Sequence, residues 1–251
     1  MKLSVVIPAH NEGSCIEGTI RDLSEELRKE AIPHEIIVVD DHSTDQTGTV
    51  LQKVAREIQD VKSVQSSWPM GFGNAIRFGL THFTGDAVAV YMADSSDAPD
   101  DLVRFYRLMM SNKVDCVFGS RWESESEVTN YPVFKLCLNR LVNYFIQILF
   151  GFRYNDVTNA FKLYSRDVIV GVAPLISPHF NLTVELPLKA IVRGFSYEVV
   201  PNKWIGRKTG ESKLKIKEMG SRYLFIILYC FIEKWLSRGD YRTRSVSSRR
   251  S

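Results

Sequence analysis

Three short stretches of this sequence crowd small polar and acidic residues directly behind an apolar run: PAHNE (8–12), DDHSTD (40–45) and ADSSD (93–97). Carboxylates at the exit of a buried strand are a common way to hold a divalent cation. In ADSSD the pattern is incomplete, because Met92 stands where the first acid of an Asp-x-Asp pair would be. Asp, Ser and Asn also cap helices at such places, and for Ser43, Thr44 and Asp45 capping is as good a reading as ligand contact. Three such clusters converging on one sheet edge are harder to explain as caps. Ligands of an open parallel sheet gather at the carboxyl ends of its strands. Together the clusters describe a site for a polar, phosphate-bearing ligand.

The elements that must position them follow from the hydrophobic period. LSVVIPA (3–9), EIIVVDD (35–41), a short run at 62–66, DAVAVYM (86–92) and VDCVFGS (114–120) read as strands. Between them lie amphipathic helices. One opens on a capping box, Ser14-Cys15-Ile16-Glu17, and buries Ile16, Ile20, Leu23 and Leu27. A second starts near Thr47 with Leu51, Val54 and Ile58 on one side, and another near Pro99, a residue suited to a first helical turn. GFGNAIRFGLTHF (71–83) reads as a glycine-rich turn and helix whose glycines let the chain pass close to a ligand. Strands apolar on both faces and alternating with helices imply an α/β fold with a mostly parallel sheet, covered on both sides. Beyond Glu123 a polar loop (123–130) leads to an unusually apolar helix, 133–152, then strands FKLYS and FSYEVV around a helix near 183–193 that contains Pro187. No internal repeat or linker separates independent domains.

The chain's 251 residues carry a net charge of +3, but residues 238–251 hold five arginines against Asp240 alone. A nearly neutral body with a basic tail argues against nucleic acid as a partner and permits contact with an anionic surface. Cys15, Cys116, Cys137 and Cys230 lack metal-ligand spacing and read as buried free thiols of a reducing compartment. The start of the chain runs straight into a strand, without the pattern of a cleaved leader. Near the end, YLFIILYCFIEKWL (223–236) is too short to span a bilayer and is broken by Glu233 and Lys234. Flanked by arginines and rich in aromatics, it suits a helix lying in a membrane interface. A core-packed helix or a homo-oligomer interface would show the same composition.

SVVIPAHNE, IIVVDDHSTDQT, GFGNAIRFGL, GSR and ADSSDAP together resemble the nucleotide-sugar half of a family 2 glycosyltransferase with the GT-A fold. NDVTNAFKLYSRDV (155–168) and GRKTGESKLK (206–215) resemble signatures of its polyprenyl-phosphate sugar transferases, the dolichol-phosphate mannose synthase type. The resemblance implies a transferase domain over 1–220 and an interfacial helix with a basic tail over 221–251. It implies that Pro8, Ala9, Glu12, Asp40 and Asp41 hold the nucleotide. Asp94 matches the acid that ligates Mg²⁺ or Mn²⁺ on the diphosphate, with Asp97 the nearby acid able to assist. Arg121, Lys135 and Asn139 match the grip on an acceptor phosphate, and Arg207, Ser212 and Lys213 a late basic loop. The catalytic set is then Asp94, Arg121, Arg207 and Lys213. Met92, Ser96 and Asn139 depart from the family pattern, where an acid, a glutamine and a serine are expected.

The implied activity is inverting transfer of a sugar from a nucleotide diphosphate to a polyprenyl phosphate. The enzyme would be cytoplasmic and peripherally bound to the membrane. Two other readings stay open: a transferase acting on a polysaccharide hydroxyl, and a silent nucleotide-sugar-binding scaffold. His10 and His42 read as hydrogen-bonding neighbours rather than catalysts. Glu185 reads as satisfying or orienting a basic loop, and Asp156 with Thr158 as shaping the acceptor end by holding Arg121 or Lys162.

Overall fold

The computed structural model describes residues 1–206, 216–237 and 239–241. In chain order the first half comprises β1 (Leu3–Ala9), α1 (Ile16–Lys29), β2 (His34–Asp40), α2 (Thr47–Glu57), β3 (Val61–Gln65), α3 (Phe72–Gly79), β4 (Ala87–Val90), α4 (Pro99–Asn112) and β5 (Cys116–Ser120). The second half comprises β6 (Val128–Thr129), α5 (Val133–Phe150), β7 (Lys162–Ser165), α6 (Arg166–Gly171), α7 (Leu182–Val192), β8 (Tyr197–Pro201), β9 (Trp204–Ile205) and α8 (Ile216–Leu236). Seven strands form one sheet in the order β3-β2-β1-β4-β7-β5-β8, and β6 pairs with β9 in a small second sheet. Only β7 runs antiparallel to its neighbours in the large sheet. Its first residue, Lys162, therefore sits at the edge where β4 and β5 end, opposite Val90 and Phe118.

Every residue of β1 and β2 is buried, as strands covered on both faces require. One core lies under α1, α2 and α4 and includes Ile16, Ile20, Leu23, Leu27, Leu51, Val54 and Phe105. The other lies under α3, α5, α7 and α8 and includes Ile76, Ile146, Leu182, Leu186, Ile226 and Cys230. The buried spacing along α1 is the one the sequence announces, but its capping box is absent. Cys15 is the N-cap and makes no side-chain cap bond. Instead the Glu12 carbonyl accepts from the Cys15 and Ile16 N–H groups, both at 3.0 Å. Pro99 does open α4, with Asp100 and Asp101 in its first turn, where the helix dipole favours acids. Among the thiols, Cys116 and Cys230 are buried, Cys15 is half-buried, and Cys137 is exposed, against the sequence expectation.

Pro187 lies inside α7 and has no N–H to offer the carbonyl of Thr183 one turn earlier. The buried ammonium of Lys162 donates to that carbonyl instead, at 3.2 Å. Such a carbonyl left alone in a core would cost about 1–3 kcal/mol. The lysine's remaining protons go to the Val157 carbonyl at 3.0 Å and to the Asn159 carbonyl. It thereby ties the loop before β7 to the first turn of α7. Burial pushes the Lys162 pKa down to about 7, opposed by the charge of Asp156.

At the opposite edge of the sheet, buried Glu35 accepts from Ser4 Oγ (2.7 Å), Thr84 N–H (2.6 Å), Thr84 Oγ (2.8 Å) and Lys62 Nζ (2.8 Å). Burial works against the carboxylate, but these donors outweigh it and hold Glu35 well below its ordinary range. A carboxylate depressed in the folded state stabilises the fold above its unfolded pKa, and that stability fades as pH falls. The stability gap between wild type and Glu35→Gln, from urea midpoints, is expected to be widest above about pH 5 and to narrow below about pH 4. A gap that does not vary with pH would show that the carboxylate is not the stabilising species.

Candidate active site

β1 and β2 run parallel in register up to Ala9 opposite Asp40, so PAHNE and DDHSTD leave the sheet side by side. Pro8 and Ala9 are buried at that edge, and Asp41 N–H donates to the Ala9 carbonyl at 2.7 Å. Asn11 adopts a left-handed conformation (φ 54°), and its Oδ1 accepts from Thr44 N–H at 2.8 Å. Asp45 accepts from Thr47 N–H at 2.9 Å and Gly13 N–H at 3.1 Å, so it braces the two loops as a capping residue does. That leaves Glu12, Asp40 and Asp41 as the buried carboxylates at the edge. Asp40 accepts from Ser43 N–H at 3.0 Å, and Asp41 from Gly71 N–H at 2.9 Å. His10 Nδ1 lies 2.6 Å from the Asp41 carbonyl and His42 Nδ1 3.3 Å from its carboxylate, both in supporting positions.

The glycines of GFGNA serve a different neighbour from the one expected. A Cβ on Gly73 would lie 2.4 Å from the Ser177 carbonyl and 2.6 Å from that of His179. Asn74 N–H donates to the Pro178 carbonyl at 3.1 Å. The bare backbone here admits the loop that leads into α7.

ADSSD is anchored to α1: Thr19 Oγ donates to the Ala93 carbonyl at 2.9 Å and lies 2.6 Å from Ser95 Oγ. Ser95 takes a left-handed conformation (φ 57°), which turns the chain back on itself. Asp94 is half-buried and accepts from Ser96 N–H at 3.2 Å. Asp97 is buried and accepts from the backbone N–H of Met92 at 3.2 Å, while Tyr91 hydroxyl donates to the Asp97 carbonyl at 2.5 Å. The residue standing in for the missing acid thus contributes its backbone to the loop. Asp97 does not cap α4, whose N-cap is Ala98 without a side-chain bond. Burial first, and then the charge of Asp94, push the Asp97 carboxyl up to about 7. A buried carboxyl disfavoured by a neighbouring carboxylate in this way fits a hard cation such as Mg²⁺ or Mn²⁺ bound beside it. Among the described residues no group of three or more His, Cys, Asp or Glu side chains is placed to hold a metal. The protein would then supply one or two ligands, with diphosphate oxygens and water completing the shell.

On the other side of the sheet centre, Arg121 follows β5 and meets Asp156 in a buried fork. Its Nε and Nη2 each donate to the carboxylate at 2.8 Å, and its backbone N–H donates at 3.0 Å. Asp156 therefore holds Arg121, not Lys162. Thr158 Oγ donates to Asp156 at 3.3 Å and accepts from Asn139 Nδ2 at 2.7 Å. Asn139 Oδ1 accepts from the Trp122 indole at 3.1 Å and from Asn143 Nδ2 at 3.0 Å. Asn139 is thus committed to this network, while Lys135, one turn earlier on α5, is half-buried. Arg207, Ser212 and Lys213 lie outside the described residues. Among the described residues, Glu185 pairs with Lys189 at 2.7 Å inside α7 and accepts from the Ile176 and Ser177 N–H groups.

Sequence reasoning missed the aromatic shell. The Arg121 guanidinium lies 5.5 Å from the ring centre of Trp122, 5.6 Å from that of Tyr131 and 5.9 Å from that of Trp204. A signal was present: Trp122 follows GSR and Trp204 precedes GRKTGESK, two large aromatics in otherwise polar loops beside basic motifs.

Residues 4–171 match the family described as glycosyl transferase family 2. The chain belongs to that family. It is a glycosyltransferase, and the silent-scaffold reading falls away. It is 29% identical over 219 residues to polyprenol monophosphomannose synthase of Mycolicibacterium smegmatis, covering 84% of this chain and 80% of that protein. It is 25% identical over 243 residues to undecaprenyl-phosphate mannosyltransferase of Micrococcus luteus, covering 94% and 96%. Among solved structures, glucosyl-3-phosphoglycerate synthase from Mycobacterium tuberculosis superposes with a TM-score of 0.69 at 18% identity, over 92% of this chain and 79% of that one. That structure holds Mn²⁺, uridine-diphosphate-glucose and phosphoglyceric acid. The likeness establishes the GT-A fold.

Removing the carboxylate of Asp156 leaves a buried guanidinium uncompensated. Asp156→Asn is expected to lower the unfolding free energy by about 3–5 kcal/mol, read from urea denaturation. Adding Arg121→Met should recover much of that loss. A double variant no more stable than the single would mean that the fork is not what Asp156 stabilises.

Proposed function

We propose that this enzyme transfers a sugar from a nucleotide diphosphate to a polyprenyl phosphate at a membrane surface, with inversion at the anomeric carbon. One helix carries the reading. α5 gives Asn139 and Asn143 to the Arg121–Asp156 network and buries Ile146 and Phe150. On its outer side it leaves Phe134 71% and Ile148 66% exposed. Beside it α8 exposes Phe225, Ile232 and Trp235. A single element thus adjoins an arginine suited to phosphate and an apolar surface too extensive for an ordinary soluble face. The names of the two mannosyltransferase relatives support the same acceptor class.

By length and composition α5 could cross a bilayer. Its commitment of four side chains to the protein body favours a helix lying in the interface, with α8 alongside. Lys234 Nζ donates to the Phe150 carbonyl at 2.5 Å, joining the end of α5 to α8. The enzyme would then sit on the cytoplasmic leaflet as a peripheral protein.

An acceptor phosphate is already anionic, so no general base is needed to activate it. Its oxygen forms the bond to the anomeric carbon as the bond to the nucleoside diphosphate breaks, and the electron pair leaves with the diphosphate. Glu12, Asp40 and Asp41 hold the nucleotide through hydrogen bonds to hydroxyl and N–H groups. Arg121, fixed in orientation by Asp156, presents positive charge to the acceptor phosphate, and Lys135 of α5 would add a second cation. Asp94 and Asp97 would hold Mg²⁺ or Mn²⁺, which when bound neutralises charge on the departing diphosphate. Arg207 and Lys213 would add cations from the basic loop.

Radiolabelled transfer from a panel of nucleotide sugars to a short polyprenyl phosphate tests the reading. Transfer is expected to need Mg²⁺ or Mn²⁺, to stop in EDTA, and to fall at least about 100-fold in Asp94→Asn. Transfer only to a sugar hydroxyl would replace the proposed acceptor with a polysaccharide.

The platform has its own test. Ile148→Glu and Phe225→Glu place charge at exposed positions and should leave thermal unfolding nearly unchanged. Each is expected to reduce cosedimentation with anionic lipid vesicles severalfold, because burying a carboxylate among acyl chains is strongly unfavourable. Undiminished cosedimentation would remove the platform from the proposal.

A further inference from the structure

We infer that Trp204 is a positioning residue that transmits occupancy of the Asp94–Asp97 loop to Arg121. The inference rests on the reading that Arg121 faces the acceptor, and it names the part that joins the two half-sites. β9 is two residues long, yet it is bonded along both edges. The Trp204 and Gly206 N–H groups donate to the Glu127 and Thr129 carbonyls, at 2.8 and 2.9 Å. The intervening Ile205 N–H points the other way and donates to the Ser96 carbonyl at 3.1 Å. Trp204 and Asp97 form an antiparallel bridge. This strand is therefore the middle one of three, with the candidate metal loop on one side and the segment leading into α5 on the other.

The side chain of Trp204 completes the link. Its ring lies 5.0 Å from that of Tyr131, and Arg121 sits against both rings and Trp122. The Trp122 indole in turn donates to Asn139 of α5. A shift of the 94–97 backbone on binding a nucleoside diphosphate would carry Ile205 and Trp204 with it, and move one wall of the cage around Arg121. Contact of the three rings with Arg121 gives that shift a direct path. Gly206 fixes the other edge: a Cβ there would lie 2.6 Å from the Asn130 carbonyl, so any side chain must push β9 away from β6.

The test uses the full chain labelled with 5-fluorotryptophan, which reports Trp68, Trp122, Trp204 and Trp235 by ¹⁹F NMR. Uridine and guanosine diphosphate are titrated in turn with Mg²⁺, and calorimetry identifies which one binds. The Trp204 and Trp122 resonances are expected to shift together at saturation. In Gly206→Ala the nucleotide should bind within about twofold of wild type, while the Trp122 shift falls to less than about half. An undiminished Trp122 shift in that variant would overturn the inference, as would unmoved Trp122 and Trp204 signals in saturated wild type. Should Gly206→Ala fold poorly, Trp204→Ala and Trp204→Phe decide by kinetics. Loss of the ring is expected to raise the acceptor KM about three- to tenfold with the donor KM unchanged, and phenylalanine to restore most of it. Equal effects on both substrates would reduce Trp204 to a structural role. The NMR arm needs no acceptor. If it succeeds while transfer to polyprenyl phosphate fails, the relay stands and the proposed acceptor does not.

Discussion

Arg121 and Asp156 meet as a planar fork in a place that water barely reaches, and much of the surrounding architecture can be understood as support for that meeting. A guanidinium cannot shed its charge on burial, so its partner must be present and correctly oriented. Asp156 is oriented by Thr158, Thr158 by Asn139 and Asn143, and those asparagines by a helix whose far side is apolar. Three aromatic rings close the remaining sides. The charge is dear to bury, and the surrounding groups keep it in one geometry.

The two sides of the site are built on different plans. At the carboxyl ends of β1 and β2, carboxylates are set by backbone N–H groups of loops that follow parallel strands, and the loops hold one another. Across the sheet centre, an antiparallel strand interrupts the parallel order. Its entry brings a loop, Asp156 to Phe161, to the same edge, where a parallel strand would have brought its end. The reversal of β7 is what lets an acid from one part of the chain meet an arginine from another at one edge of the sheet.

The convergence of PAHNE and DDHSTD on one sheet edge was legible in the sequence, because its signals are local. Apolar runs ended in acids, and the buried spacing of Ile16, Ile20, Leu23 and Leu27 appears in the fold as read. The capping box was not, since the backbone carbonyl of Glu12 took the role that Ser14 seemed to offer. The glycines of GFGNA misled for a similar reason: what they approach is a loop one hundred residues further on, which no local pattern reveals. The fork could be suspected, as Asp156 was read as holding Arg121 or Lys162, but choosing between them required tertiary contacts. Lys162 then proved to be occupied by carbonyls. The aromatic shell went unread because its members are far apart in sequence: Trp122 and Tyr131 lie on either side of β6, and Trp204 lies in β9.

Pro187 and Lys162 bear on how this chain can diverge. A proline in the middle of a helix withholds one amide proton, and a lysine from a neighbouring strand supplies a proton to the same carbonyl. Exchanging the lysine alone would strand that oxygen, whereas exchanging the proline alone would set two donors in competition for it. The two positions are locked into concerted drift. A descendant that changes one should carry a compensating change at the other, although twenty-four residues and a whole helix, α6, lie between them.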